Sequence, residues 1–112
     1  MSSVRDLVHG YQREIRDTDV QPERAAELLM KLTALLGNVL SEIREADYDY
    51  SVVLLRELES SEKANRATIR AAISPEYQRR QEARNLHALV VELVRSLKIF
   101  IKAQAEEMRL AR

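Results

Sequence analysis

Six cationic side chains are grouped around Ser74-Pro75, and they are the residues of this sequence best suited to binding chemistry. They are Lys63, Arg66, Arg70, Arg79, Arg80 and Arg84. Only two acidic residues fall between the first and the last of them. The first three recur at steps of three and four, so on a helix they share one face. Cations arranged in this way suit the phosphates of a nucleic acid, which need neutralisation without base-specific readout.

Three tyrosines, Tyr48, Tyr50 and Tyr77, offer rings on which unpaired bases could stack. The competing interpretation is that the arginines pair with carboxylates of the same chain or of a neighbouring subunit. The acidic candidates in the chain are Glu57, Glu59, Glu62 and Glu76. Surface ion pairs of this kind are common and add little stability. The residues alone leave both interpretations open.

The zero net charge conceals an asymmetry along the chain. Residues 1–60 carry seven Lys and Arg against twelve Asp and Glu, a net charge of −5. Residues 61–112 carry eleven against six, a net charge of +5. Either the two halves neutralise each other within a bundle or between subunits, or the basic half attracts a polyanion.

No residues with the spacing of a catalytic or metal site accompany the cations. His9 and His87 stand alone, without the partner at helical spacing that a metal site requires. The chain has neither a Gly-rich phosphate-binding loop nor a Ser/His/Asp arrangement. Asp47 and Asp49 could hold a cation, but a solvated helix kink is the simpler explanation. The sequence therefore predicts a protein that is not an enzyme and holds no metal or cofactor.

Composition predicts a single all-α domain over residues 1–112. Apolar residues make up 46% of the chain, and there are only two Gly and two Pro. The absence of cysteine excludes disulfides and agrees with a reducing cytoplasm. The first residues lack the apolar core of a signal peptide, and no run of about 18 apolar residues is present. We therefore expect a cytoplasmic protein without a membrane partner.

Capping residues divide the chain into one short and two long helices. The predicted helices span 4–16, 22–73 and 75–110. Ser3 is a predicted N-cap, Pro22 suits a first helical turn, and Ser74-Pro75 combines both features. The second helix becomes polar towards its end, and a kink or break is expected in the region 47–62.

Apolar residues repeat at steps of three and four along both long helices. The predicted interface consists of Leu29, Leu32, Leu36, Val39 and Ile43 in the second helix and Leu86, Val90, Leu93, Leu97 and Phe100 in the third. This spacing predicts an extended, coiled-coil-like hairpin. Such a hairpin leaves much of each apolar stripe in water, so we expect homo-oligomers.

Several short segments along the chain together resemble one protein family. They are Arg5-Asp6-Leu7, Asp17-Thr18-Asp19, Ala25-Ala26, the run from Ile43 to Tyr50, Ser61-Glu62-Lys63, Ile73-Ser74 and Glu107-Met108-Arg109. In order and character they resemble the UvsY family of phage recombination mediators and its shorter relatives. The likeness covers nearly the whole chain, and it is one of pattern with few identities.

This resemblance implies a cytoplasmic protein of an infected bacterial host that assembles into rings and binds single-stranded DNA. It also implies that the protein helps to load a RecA-like recombinase in place of single-strand-binding protein. The DNA-contacting stretch of the family maps onto Arg44, but its second basic position falls here on Glu45 or Ala46. DNA contacts are therefore expected to shift towards the cations between Lys63 and Arg70.

The alternative interpretation is a structural or chaperone-like helical module that docks a protein partner and does not bind DNA. It predicts arginines that are paired with acidic side chains. A secreted helical hairpin of the WxG type is disfavoured, because Ser74-Pro75 stands where that family has Trp-x-Gly.

Overall fold

A computed structural model of the chain describes residues 3–111, and within that range it contains four α-helices and no strand. The helices are α1 (Val4–Asp17), α2 (Pro22–Ser60), α3 (Ala64–Ala72) and α4 (Pro75–Leu110). The predicted all-α class is therefore confirmed. None of these helices combines the length and apolar composition that crossing a bilayer requires.

Side-chain caps explain where α1 and α4 begin. Ser3 Oγ accepts a hydrogen bond from the backbone N–H of Asp6 at 3.1 Å. Ser74 Oγ accepts one from the backbone N–H of Tyr77 at 3.2 Å, and Pro75 is the first residue of α4. Each cap satisfies an N–H that has no acceptor within the helix. The N-caps predicted at Ser3 and Ser74 are confirmed.

The segment predicted as one helix over 22–73 is divided into α2 and α3 by residues 61–63. This interruption lies at the C-terminal edge of the region 47–62, where the sequence predicts a kink or break. The helix α2 is uninterrupted through Gly37, where an added Cβ would meet no atom within 4 Å. It also continues through Asp47 and Asp49, so the helix does not break at the tyrosines beside them.

The described chain divides into two compact units. The first unit combines the residues up to Asn38 with those from Leu86 onwards. Its core is aliphatic and draws on three helices: Val8 of α1, Ala25, Leu28 and Leu32 of α2, and Leu86, Val90, Leu93 and Leu97 of α4. Burial of this much aliphatic surface is the main stabilising contribution to the unit.

The second unit, residues 39–85, has a core of small side chains. Its buried residues are Val39, Ala46, Ala67, Ala71 and Ala83. Alanines bury little apolar area for each residue ordered. Six large aliphatic side chains of this unit are exposed instead: Leu40, Val52, Leu55, Leu58, Ile69 and Ile73. The second unit therefore leaves several large apolar side chains in contact with water, which soluble monomers rarely do when such side chains form a continuous patch.

An ion pair joins α1 to α2 within the first unit. Arg24 donates through Nε and Nη2 to the two carboxylate oxygens of Glu14, at 2.7 and 2.8 Å. Its third nitrogen donates to Glu27 at 2.9 Å. The hydrogen bonds from Arg24 hold the pKa of Glu14 below its ordinary value, against a smaller opposing effect of desolvation. The same bonds raise the pKa of Arg24. This bidentate geometry is the strongest that a guanidinium and a carboxylate adopt.

The ten residues predicted to form an oligomer interface are divided by the fold. Leu32, Val39, Leu86, Val90, Leu93 and Leu97 are buried within the single chain. Leu29, Leu36, Ile43 and Phe100 are half-buried. A side chain that is already covered offers no surface to a second copy. A subunit contact in this conformation would use the half-buried members and their exposed neighbours, and the interface stays a prediction.

Candidate nucleic-acid interface

The cationic row on α3 consists of Lys63, Arg66 and Arg70, and all three side chains are exposed. Lys63 is the N-cap residue of the helix, and α3 itself contains no acidic residue. Within residues 3–111, neither Lys63 nor Arg66 forms a side-chain ion pair. Arg70 Nη1 lies 3.9 Å from Glu57 Oε2, with 59% of the arginine side chain exposed. A pair so long and so exposed is weak. The row is therefore largely available to a ligand.

Arg79, near the start of α4, is held by carboxylates of α2. Its Nη1 donates to Asp49 Oδ2 at 2.8 Å, and its Nη2 lies 3.8 Å from Glu45 Oε2. Glu45 and Asp49 are one helical turn apart, so both face the same guanidinium. These two acids were not among the partners predicted from the sequence. Their positive counterpart lies 30 or more residues away in the chain, and sequence spacing carries no signal over that distance.

Asp47 pairs with the other two arginines of this group. Arg80 Nε donates to Asp47 Oδ1 at 2.9 Å, and Arg84 Nη2 donates to the same oxygen at 3.3 Å. The guanidinium of Arg80 also lies over the ring of Tyr50, 4.7 Å from its centroid. The ring of Tyr50 in turn meets that of Tyr77 edge to face, with the centroids 5.5 Å apart. Arg80, Arg84 and Tyr50 are therefore engaged within the chain.

Tyr48 and Arg44, in contrast to the paired residues Arg80, Arg84 and Tyr50, point into solvent. Tyr48 is 70% exposed, and Arg44, one turn before it on α2, is also exposed. Among the described residues Arg44 forms no ion pair. Tyr48 lies at the edge of an open groove of about 460 Å³ that Val52, Arg56 and Pro75 help to line. Of the three tyrosines predicted to stack on bases, Tyr48 is the exposed one, whereas the rings of Tyr50 and Tyr77 contact each other.

Two isoleucines that were not predicted as site residues are exposed: Ile69 on α3 and Ile73 at the C-cap position directly after it. Ile69 is 63% and Ile73 is 80% exposed. The available signal is the alanine stripe of the same helix, because Ala67 and Ala71 are fully buried. Residues two positions from a buried stripe point away from the core on a helix of 3.6 residues per turn. The alanine stripe thus identifies both isoleucines as surface residues.

His9, one of the two histidines, contacts a glutamine of its own helix. His9 Nδ1 lies 3.4 Å from Gln12 Oε1, one turn further along α1. Residues 3–111 contain no group of three or more His, Cys, Asp or Glu side chains placed to hold a metal ion. Asp47 and Asp49, considered from the sequence as a cation site, bind arginines instead.

The site is thus defined by its own geometry: an exposed cationic row on α3, an exposed Tyr48 with Arg44, and an arginine group on α4 that carboxylates already neutralise. A comparison with protein-family models, curated proteins and solved structures finds no match to this chain.

Proposed function

We propose that this protein is a non-enzymatic, oligomeric helical protein that binds single-stranded DNA through the exposed face of α3. The cationic row of Lys63, Arg66 and Arg70 carries the proposal, because its charges lack close carboxylate partners among the described residues. Phosphates of a nucleic acid backbone would neutralise them and release bound counterions. The N-terminal end of α3 adds the partial positive charge of a helix dipole to the same region.

Arg44 and Tyr48 provide a second contact in this proposal. Both are exposed on the same stretch of α2, and a cation beside an aromatic ring suits a phosphate followed by an unpaired base. Arg79, Arg80, Arg84 and Tyr50 contribute less than the sequence predicts. Their charges and ring are engaged with Asp47, Asp49 and Tyr77.

The resemblance to the UvsY family supports the remainder of the proposed function. On that basis the protein assists the loading of a RecA-like recombinase onto DNA covered by single-strand-binding protein, in the cytoplasm of a phage-infected bacterium. We further propose that coiled-coil-like hairpins of this chain associate into a ring. Exposed aliphatic side chains such as Leu55 and Ile99 support association, because soluble monomers rarely expose large apolar patches.

A second candidate function is a helical module that docks a protein partner and does not bind DNA. The specific observation in its favour is the ion pairing of Arg79, Arg80 and Arg84 with carboxylates of α2. Arginines neutralised in this way contribute little to a polyanion surface. The two functions differ in one measurable property, which is affinity for single-stranded DNA.

The decisive experiment is a fluorescence anisotropy titration of a labelled single-stranded oligonucleotide at several salt concentrations. We expect the wild-type protein to bind with an affinity that falls steeply with salt. The triple variant Lys63→Glu, Arg66→Glu, Arg70→Glu should lose binding by about 100-fold or more while keeping its oligomeric mass, because it replaces three phosphate contacts with repulsion.

The matched control is Lys31→Glu, Lys98→Glu, Lys102→Glu, which changes the net charge by the same amount at exposed lysines of the first unit. This control should retain most of the affinity. Equal losses in both triple variants would show that only net charge matters and would refute the assignment to α3. If the wild-type protein does not bind at low salt, the proposed DNA binding is refuted and the docking module is favoured.

A further inference from the structure

The exposed face of α3 alternates cationic and aliphatic side chains. Arg66, Ile69 and Arg70 fall within about 100° of arc on α3, at 3.6 residues per turn. Ile73 is the C-cap residue directly after the helix and follows Ile69 by four residues. All four are exposed, and the two isoleucines are 63% and 80% exposed. This face is therefore an apolar surface interrupted by positive charge.

The opposite side of the helix explains why this face is open. Ala67 and Ala71 are fully buried and carry the packing of α3 in the second unit. The isoleucines bury little of their surface in the chain, so packing of the described chain does not account for their size. Polar side chains at 69 and 73 would satisfy the fold equally well.

The chemistry of the face indicates what would cover it. A ligand that fits it presents negative charge to Arg66 and Arg70 and apolar surface to Ile69 and Ile73. Single-stranded DNA presents both, because its phosphates alternate with bases whose flat faces are free. Duplex DNA presents the phosphates but keeps its base faces stacked inside the helix. Aliphatic side chains, isoleucine included, are known to pack on bases that have been unstacked.

We infer that Ile69 and Ile73 determine the preference of this protein for unpaired over paired DNA. Unstacked bases lie on the two isoleucines while Arg66 and Arg70 hold the flanking phosphates. This inference rests on the proposed function and adds to it the residues that distinguish single strands from duplex. Arg66 and Arg70 then set the salt dependence of binding, and the isoleucines set its selectivity.

The test measures the affinities of the full-length protein for a single-stranded oligonucleotide and for the corresponding duplex, each at three salt concentrations. The variant Ile69→Gln, Ile73→Gln should bind the single strand about tenfold more weakly, because it removes apolar contact with the bases. Its affinity for duplex and its salt slope should be unchanged, because the number of phosphates contacted stays the same. Ile69→Tyr should bind the single strand more tightly than wild type, because a ring stacks better than an aliphatic chain.

The matched control is Met30→Gln, Met108→Gln, which alters two exposed apolar side chains of the first unit, 74% and 66% exposed. It should bind both DNAs like wild type. An unchanged preference for single strands in the Ile69→Gln, Ile73→Gln variant overturns the inference and leaves the proposed function standing. Failure of the wild-type protein to bind single strands instead overturns the proposed function.

The masses of the variants are measured by sedimentation velocity on the same samples. We expect the double isoleucine variant to keep the wild-type mass. If its mass falls while wild type assembles, the face is a contact between copies of this chain, and the inference is wrong.

Discussion

Asp47 neutralises two of the cations on α4. One of its oxygens accepts hydrogen bonds from both Arg80 and Arg84, and Arg80 in turn lies over Tyr50. The side chains of Asp47 and Arg80 are 39% and 25% exposed, so solvent screens this pairing only in part. A single carboxylate thus removes two arginines from the surface available to a polyanion.

Replacing Asp47 with Ala should lower the free energy of unfolding by about 1–2 kcal/mol, because two guanidinium groups lose a charged acceptor. Urea denaturation monitored by circular dichroism provides the measurement. Glu59→Ala on the same helix is the control, since Glu59 is exposed and has no ion pair within residues 3–111. Equal destabilisation by the two substitutions would contradict the role assigned to Asp47.

The pairing of Glu14 with Arg24 predicts a pH dependence of stability. Because Arg24 lowers the pKa of folded Glu14 beneath the ordinary value of 4.5, the unfolded chain takes up a proton at higher pH than the folded one. The stabilisation is therefore fully present above that ordinary value and is lost as the pH falls through the lowered pKa of the folded state.

Glu14→Gln should accordingly be less stable than wild type near neutral pH, and the difference should shrink as the pH falls below the ordinary range of glutamate. Thermal unfolding at a series of pH values measures it. Arg24→Gln should show a similar deficit relative to wild type, which should shrink over the same pH range. A deficit that stayed constant down to the lowest pH would assign the effect to side-chain packing instead of charge.

At the scale of the elements, α2 contains a glycine in its interior. Gly37 lies inside it, and glycine costs helix stability because its unfolded backbone has more freedom to lose. An added Cβ at this position would meet no atom within 4 Å. The chain thus contains a helical glycine that the packing of the described residues does not require.

Gly37→Ala should therefore raise the free energy of unfolding by about 0.5–1 kcal/mol. Chemical denaturation with the same probe measures the change. The reciprocal control is Ala34→Gly, at an exposed position one turn earlier in α2, which should lower the free energy of unfolding by a similar amount. Destabilisation by Gly37→Ala would show that another surface, such as a second copy of the chain, approaches the helix there.

The contrast between α3 and α4 explains why cations at similar spacing have different environments. Both helices carry a pair of arginines four residues apart, Arg66 and Arg70 on α3 and Arg80 and Arg84 on α4. On α3, which has no acidic residue, Arg70 alone reaches a carboxylate among the described residues, at 3.9 Å. The first turns of α4 lie against the acidic part of α2, and its arginines are paired at 2.8–3.3 Å. The acidic residues that pack beside each helix therefore decide which of its cations remain unpaired.

At the scale of the whole molecule, the exposed apolar side chains predict self-association. Leu55, Ile99 and Leu110 are each more than half exposed. We expect the protein to sediment as a multimer at micromolar concentration and its midpoint of urea denaturation to rise with protein concentration, because association stabilises only the folded state. A monomeric mass and a midpoint independent of concentration would refute the ring that we propose.

The sequence by itself determined the features that depend on local interactions. The all-α class follows from periodicity and from the scarcity of Gly and Pro, and the helix starts at Ser3 and Ser74 follow from side chains that cap a backbone N–H three residues on. The placement of Arg66 and Arg70 on one face of α3 is likewise a consequence of spacing alone, whereas Lys63 precedes the helix as its N-cap residue.

Only the tertiary structure decided which cations are neutralised and which apolar residues are covered. Arg80 meets Asp47 at a separation of 33 residues, and the core of the second unit is built largely from alanines while Ile69 and Ile73 remain outside it. Local spacing fixes the face of a helix on which a residue lies. Which side chains pack against that face depends on how helices distant in sequence come together. The free energy of the whole fold determines that arrangement.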